Sequence, residues 1–452
     1  MPGHMGVNLG KLRRSSTLRV MFLTALGMAL GLAVTILIAA RFGATALTDA
    51  LFIALLIPRM LGNVARDATK FSLITVLLHA EKRDGLDAMR ELTTRVLNLF
   101  LLLGLALVVI GFAAAPPIIA LIGPGLDDAG RATAVTLFRW CLPMLMFALG
   151  SAVLEVLLNS QRQFAAAALR NAAAPAVVIA LMVASWKSSH TAWWVAVGYS
   201  AGAAVFFLWL AARARATLAW RYRVRDMPDG NTWRVLRRDV GLPLTGFTVR
   251  QSSRIVERSF ASLTGAGGVA HYSFAYQLLA AIQNLVGTSV ALTGQPRLTE
   301  HDLAGDRVMF FRLLRRRVGI TLLFSAPMAV VLMALHKPIV AALFGWGSFD
   351  AEAVEATARV LLWLGPAIIF YCLIPVLTSA LYAQQRVGAV LANMCLMAAI
   401  NIVGAWFGYR CMGLTGIALA ATITSAVSVA NLTFLLVLKR SPAPTSGGGG
   451  AG

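Results

Sequence analysis

GLPLTGFTVRQSSRIVERSFASLT, residues 241–264, has the length of a membrane span yet carries Arg250, Arg254 and Arg258. An arginine near the centre of a bilayer costs roughly 2.5–3.5 kcal/mol on insertion scales, so three in one span must face protein or a water-filled cavity. The segment therefore belongs inside a bundle of other spans. At about 100° per residue, steps of four drift by only ~40°, and the three guanidinium groups form one stripe. Glu257 lies three residues after Arg254, at pairing distance on a helix. The stripe stays net positive and suits an anionic cargo, with phosphate or diphosphate the natural match for a guanidinium fork. Arginines near a span end also snorkel or bind anionic lipid headgroups, which is the competing reading.

Composition agrees with a bundle of spans. The chain has 452 residues, 58% hydrophobic and only 13% charged, whereas soluble domains carry about 25% charged residues. Apolar stretches fall at 20–40, 49–78, 96–115, 134–158, 164–185, 193–212, 241–264, 269–294, 318–336, 354–382, 387–407 and 414–438. These predict an all-α polytopic membrane protein of about twelve transmembrane helices. The net charge of +21 is mostly topological. Basic residues collect in alternate loops: Lys11, Arg13, Arg14 and Arg19, then Lys82, Arg83, Arg90 and Arg95, the run from Arg213 to Arg238, and Arg307 to Arg317. Only Arg41, Arg131, Lys187, Lys337 and Arg410 fall on the other side. Both termini are thus expected in the cytoplasm of a bacterial inner membrane, and nucleic acid is excluded as a partner. Cys141, Cys372, Cys395 and Cys411 lack ligand spacing, the six histidines are scattered, and no nucleotide loop or hydrolase motif occurs. No enzyme, cofactor or metal is expected.

The halves echo one another. Phe42-Gly43-Ala44 answers Thr264-Gly265-Ala266, Pro117-Ile-Ile-Ala answers Pro338-Ile-Val-Ala, and Gln161-Arg162 answers Gln385-Arg386, in order and at nearly one offset. The expected organisation is a cytoplasmic N-terminus (1–19), a first six-helix bundle (20–212), a basic linker (213–240), a second six-helix bundle (241–438) and a flexible tail (439–452). An even number of spans per unit gives a parallel repeat around a central cavity.

A second stretch, residues 40–70, joins charge to apolar sequence. Asp49 opens the second span as a candidate ion-coupling or capping carboxylate, and Pro58 with Gly62-Asn63 predicts a broken helix. Arg59, Arg66 and Lys70 are spaced seven and four apart, near one face, as a basic cluster complementing the arginine stripe. Pro243, Pro327, Pro366 and Pro375 are hinge candidates.

Arg41-Phe-Gly-Ala-x4-Asp49-Ala-x-Phe-x-Ala-x3-Pro58 resembles the opening signature of the MurJ/MviN family of lipid-linked saccharide flippases, in the multidrug/oligosaccharidyl-lipid/polysaccharide exporter superfamily. Val256-Glu-Arg-x-Phe-Ala-Ser262, Tyr272-x3-Tyr276, Leu343-Phe-Gly-x-Gly-x-Phe349 and Leu377-x3-Leu-Tyr-Ala-x-Gln-Arg386 extend the likeness over most of positions 15–438. The resemblance implies alternating access that carries an undecaprenyl-diphosphate-linked sugar across the membrane, with membrane lipids and envelope-glycan synthesis enzymes as partners. The departures are specific. Residues 24–31 of the first span carry no arginine, Leu56 and Gln277 stand where the family places basic residues, and the two additional C-terminal spans of peptidoglycan flippases are missing. Gln277 is kept as a cargo-binding candidate in the eighth span. These departures favour an exopolysaccharide or surface-glycan precursor as cargo, with lipid II as the alternative. A drug/cation antiporter would want an acidic cavity, and a non-transporting scaffold of the same fold would need none.

Overall fold

A computed structural model describes residues 9–438, except 231–240 and positions 162, 164, 165, 167, 168, 225, 227 and 229; side chains are described from residue 22 onward, apart from 71, 72, 241–250 and 292 and those same positions. Of the linker expected at 213–240, positions 225, 227, 229 and 231–240 lie outside the described residues, as does the whole tail expected at 439–452. The first half comprises α1 (Leu9–Phe42), α2 (Ala46–Ala113), α3 (Ala115–Ile122), α4 (Asp128–Cys141), α5 (Pro143–Ser160), α6 (Arg170–Ala184) and α7 (Thr191–Leu218). The second comprises α8 (Gly241–Ser262), α9 (Gly268–Gln283), a π-helical turn (Asn284–Thr288), α10 (Ser289–Leu303), α11 (Arg307–Ala334), α12 (His336–Phe344), α13 (Ala351–Leu364), α14 (Ala367–Ala383), α15 (Val387–Met412) and α16 (Leu414–Val437). The described residues form no strand, as expected where lipid cannot satisfy backbone groups.

Among the described residues, eight helical segments are long and apolar enough to cross a membrane, and nine if α13 and α14, bent by 47°, form one span. The other three expected spans fall on the second limb of α2, the short apolar α6 and the arginine-bearing α8, so each of the twelve expected spans meets helix. Pro58 and Gly62 do not break the second span: α2 keeps helical dihedrals through both and departs only at Gly85 (φ 87°, ψ 179°). One missing N–H at Pro58 is tolerated where neighbouring helices pack against the segment, and Gly62 sits against Ala148 of α5. At Gly85 the chain folds back: Gln161 donates to Glu81 at 3.1 Å while lying 3.9 Å from the Met89 sulfur, so residues on both sides of the turn meet one side chain. Among the proline candidates, Pro366 stands at the bend, whereas Pro327 and Pro375 sit inside uninterrupted helices. Pro243 lies among residues whose side chains are not described.

The halves repeat one series of elements. Gly43 and Gly265 both take positive φ (65° and 99°) after the first helix of their half. Asp127 caps α4 by accepting from Gly130 N at 2.9 Å, and Asp350 caps α13 by accepting from Ala353 N at 2.8 Å. Pro143 opens α5 as Pro366 caps α14.

The core is forked. One apolar cluster joins both halves, running from Val34, Ile38 and Leu51 to Phe274, Phe344 and Phe349. Phe52 of the first half meets Phe274 of the second edge-on at 5.3 Å. The other two clusters each belong to a single half: one around Leu73, Met89, Leu97 and Leu157, the other around Leu298, Phe310, Leu381 and Leu436. The halves are therefore joined at the end bearing residues 43, 125, 265 and 347, the joined end. They hold separate cores at the opposite end, which carries the basic loops.

Gly408 and Gly416 let α15 and α16 approach backbone to backbone; a Cβ on Gly416 would lie 2.0 Å from the Gly408 oxygen. Gly416→Val is expected to lose about 1–3 kcal/mol by forced separation. Thermal unfolding in detergent should show a lower melting temperature than the wild type.

Candidate substrate-binding site

Two arginines of the stripe on α8 meet one aromatic ring. Arg254 and Arg258 stand over Tyr276 of α9, at 5.5 and 5.8 Å from the ring centroid, within the range of cation–π attraction. Tyr276 stacks near Tyr272 at 6.4 Å and takes the edge of Tyr371 from α14 at 6.3 Å. Arg258 Nε also donates to Ser273 Oγ at 3.1 Å. Tyr276 recurs four residues after Tyr272, which puts both rings on the face of α9 toward α8. The aromatic faces hold the guanidinium planes without neutralising them, so the positive charge is retained.

Glu257 is buried at 4% exposure. The expected Arg254–Glu257 pairing is replaced: the carboxylate accepts from Asn401 Nδ2 of α15 at 3.2 Å, and the buried Tyr272 hydroxyl lies beside it. Glu257 thus ties α8 to its neighbours rather than cancelling Arg254. Arg250 lies on α8, but its side chain is outside the described residues. Gln277 follows Tyr276 on α9 and is half-buried.

The first-half candidates separate. Arg59 turns to α7, where its Nη2 donates to the Tyr199 hydroxyl at 2.8 Å and its guanidinium stacks 4.4 Å from the ring centroid. It does not join Arg66 and Lys70 in one cluster. Their sequence spacing is close enough to share a helical face, but the tyrosine draws Arg59 sideways. Arg66 instead lies 3.8 Å from Asp67, and Lys70 is exposed. Arg170 and Glu155, neither of them a sequence candidate, bring Nε and Oε1 to 3.8 Å. Neither residue has a partner at helical spacing, so only tertiary packing reveals the pair.

Asp49 is 2% exposed and bridges the halves. Its Oδ2 accepts from Gly267 N at 2.8 Å and its Oδ1 from Ala270 N at 2.7 Å. It caps not its own helix but the N-terminus of α9, where a carboxylate also meets the positive end of the helix dipole. Both oxygens are engaged by protein amides. Around it, Ser348 N donates to Ala40 O at 2.8 Å, Gly125 N to Ser262 Oγ at 3.1 Å and Ser259 Oγ to Ile122 O at 2.9 Å. Every one of these cross-half bonds lies at the joined end.

The family description "Lipid II flippase MurJ" matches residues 38–447. The chain belongs to the MurJ family. A lipid II flippase MurJ of Burkholderia cenocepacia is 28% identical over 380 residues, covering 80% of this chain and 72% of its own. A probable lipid II flippase MurJ of Thermotoga maritima is 24% identical over 407 residues, covering 90% and 81%. Among solved structures, a lipid II flippase MurJ in an inward closed conformation has a TM-score of 0.81 at 22% identity over 92% of this chain and 87% of that one. An inward-facing multidrug resistance transporter of the MATE family and MOP superfamily reaches 0.77 at 13% identity over 93% and 98%. The joined end and forked core are thus set in a fold shared by MurJ and MATE structures. The arginine–tyrosine group of α8 and α9 lies within that fold.

Proposed function

We propose that this protein moves an undecaprenyl-diphosphate-linked saccharide across the bacterial cytoplasmic membrane by alternating access, with lipid II as the cargo. One observation carries the anionic half of the reading: Arg254 and Arg258 both stand over the Tyr276 ring while the neighbouring carboxylate is held by Asn401. The saccharide half is supported by membership of the MurJ family and by relatives named as lipid II flippases. They support lipid II over the exopolysaccharide or surface-glycan precursor that the sequence departures favoured.

The cycle follows from the fork. With the basic loops in the cytoplasm, as the charge asymmetry indicates, the halves part on the cytoplasmic side and the joined end shuts the outer side. Cargo enters from the cytoplasm, its diphosphate settles on the guanidinium forks, and rocking of the halves exposes it outside. No covalent step is involved, so the protein is a transporter rather than an enzyme. Envelope-glycan synthesis enzymes would supply and consume the cargo.

The test is to purify the protein with its native lipids and weigh what accompanies it. A diphosphate-linked lipid saccharide with the mass of lipid II should accompany the wild type and be depleted in Arg254→Ala/Arg258→Ala. A co-purified saccharide of another repeat composition would replace lipid II as cargo, and equal amounts of carrier lipid in both proteins would remove the arginines from cargo binding.

A further inference from the structure

A second polar group lies in the first half, away from the α8 stripe. Glu155 on α5, Arg170 at the start of α6, and Asn63, Arg66 and Asp67 on α2 converge near the basic end. The contacts of Glu155 and Arg170 are incomplete. Arg170 Nε stands 3.8 Å from Glu155 Oε1, and Arg66 Nη2 stands 3.8 Å from Asp67 Oδ1, both longer than a hydrogen bond. Arg170 Nη2 reaches Asn63 Oδ1 at 3.3 Å. Glu155 Oε1, Arg170 Nη1 and, one turn beyond Glu155, Asn159 Oδ1 are buried without a hydrogen-bond partner. The Glu155 side chain is only 8% exposed.

A buried ion pair offsets its desolvation only when geometry is good and the remaining lone pairs and protons are satisfied. Here neither condition holds, so the group has room for a third participant. Its sign follows from the charges: Arg66, Lys70 and Arg170 outnumber Glu155 and Asp67, and the open side is lined by Lys70, which is exposed, and by Arg66, whose side chain is 30% exposed. Two guanidinium groups with a free or loosely held edge match a phosphate, which accepts from both forks.

We propose that Arg66 and Arg170 form a binding site for a phosphate-bearing lipid headgroup, with Glu155 holding Arg170 in place when the site is empty. Arg66 lies twenty residues beyond Ala46, about 30 Å along α2 from the joined end, whereas Arg258 is only four residues from the end of α8 at that same end. The two anion sites therefore sit at different depths, one near the basic surface and one deep. If the headgroup is the diphosphate of the carrier lipid, this is the entry station of the transport path, a role that rests on the function proposed above. If it is a phospholipid, the site anchors the first half to the membrane surface.

The experiment is native mass spectrometry of the full chain, delipidated in detergent and titrated separately with undecaprenyl diphosphate and phosphatidylglycerol. Arg66→Gln/Arg170→Gln should weaken binding of one of these lipids by about tenfold or more. Glu155→Gln should tighten it, because it releases Arg170 without removing volume. A misfolded or purely structural pair would not give opposite signs. Unchanged affinity for both lipids in the double variant, or weaker binding in Glu155→Gln, would overturn the proposal. Arg254→Gln/Arg258→Gln separates it from the transport reading. If that variant alone loses the diphosphate lipid, the deep site stands and the entry site falls; if only Arg66→Gln/Arg170→Gln loses it, the entry site stands and the deep site falls.

Discussion

Alanine in place of Arg254 or Arg258 is expected to lower affinity for the carrier diphosphate by roughly 30- to 4000-fold and to stop export, with expression and thermal stability near wild type. The range corresponds to roughly 2–5 kcal/mol for removing one partner of a desolvated, hydrogen-bonded charge pair. Stability should hold because each arginine rests on the face of Tyr276 rather than on a buried counter-ion, and an exposed or partly exposed cation–π contact contributes only about 0.5–2 kcal/mol. Arg254→Lys should be intermediate: it keeps the charge but loses the planar fork and the stacking. Glu257→Gln should perturb transport least, since its partner is Asn401 and a neutral amide oxygen accepts the same bond. Binding titrations with undecaprenyl diphosphate would rank the four variants, and a Glu257→Gln defect larger than either alanine effect would reverse the assigned roles.

Asp49→Ala is expected to unlatch the joined end. The carboxylate accepts from Gly267 N and Ala270 N across the seam, and its loss leaves two buried donors at the start of α9 unpaired. Such a loss costs roughly 2–4 kcal/mol, or about 30- to 1000-fold in the equilibrium between joined and parted halves. Spin labels at positions 124 and 266, both exposed at that end, should show a grown population at long separation. Asp49→Asn should fall between, because its amide oxygen can still accept one of the two bonds. An unchanged distance distribution in Asp49→Ala would show that the apolar seam alone holds the halves together. Gly267, with φ 86° and space for a Cβ only 2.5 Å from the Ala44 oxygen, is a second pressure point on the same latch.

The spans were legible because lipid forces long apolar helices, and the repeat because Gly43 and Gly265 mark the same turn twice. That Arg254 and Arg258 meet one ring was legible because cations four residues apart fall on one helical face, while the Arg250 side chain lies outside the described residues. What sequence could not give were partners remote along the chain. Asp49 meets amides 218 and 221 positions away, Glu257 turns to Asn401 rather than its helical neighbour, and Arg170 comes within 3.8 Å of Glu155 only in the folded chain. The reading of Pro58 as a break failed because proline signals a missing donor, not a bend, while the real reversal needed the positive φ of Gly85. The π-helical turn after α9 carries Gly287, where an added Cβ would lie 2.7 Å from Cys372 Cα; only the lone glycine in an apolar run hinted at that close approach.

The central claim is that the arginine–tyrosine group carries a lipid-linked diphosphate across the membrane. It is tested most directly by lipid II translocation in proteoliposomes, scored by access of an added lipid II-binding protein to the outer leaflet. The account predicts that wild-type protein moves lipid II well above the protein-free rate and that Arg254→Ala/Arg258→Ala returns it to that background. Equal translocation by both proteins would contradict it.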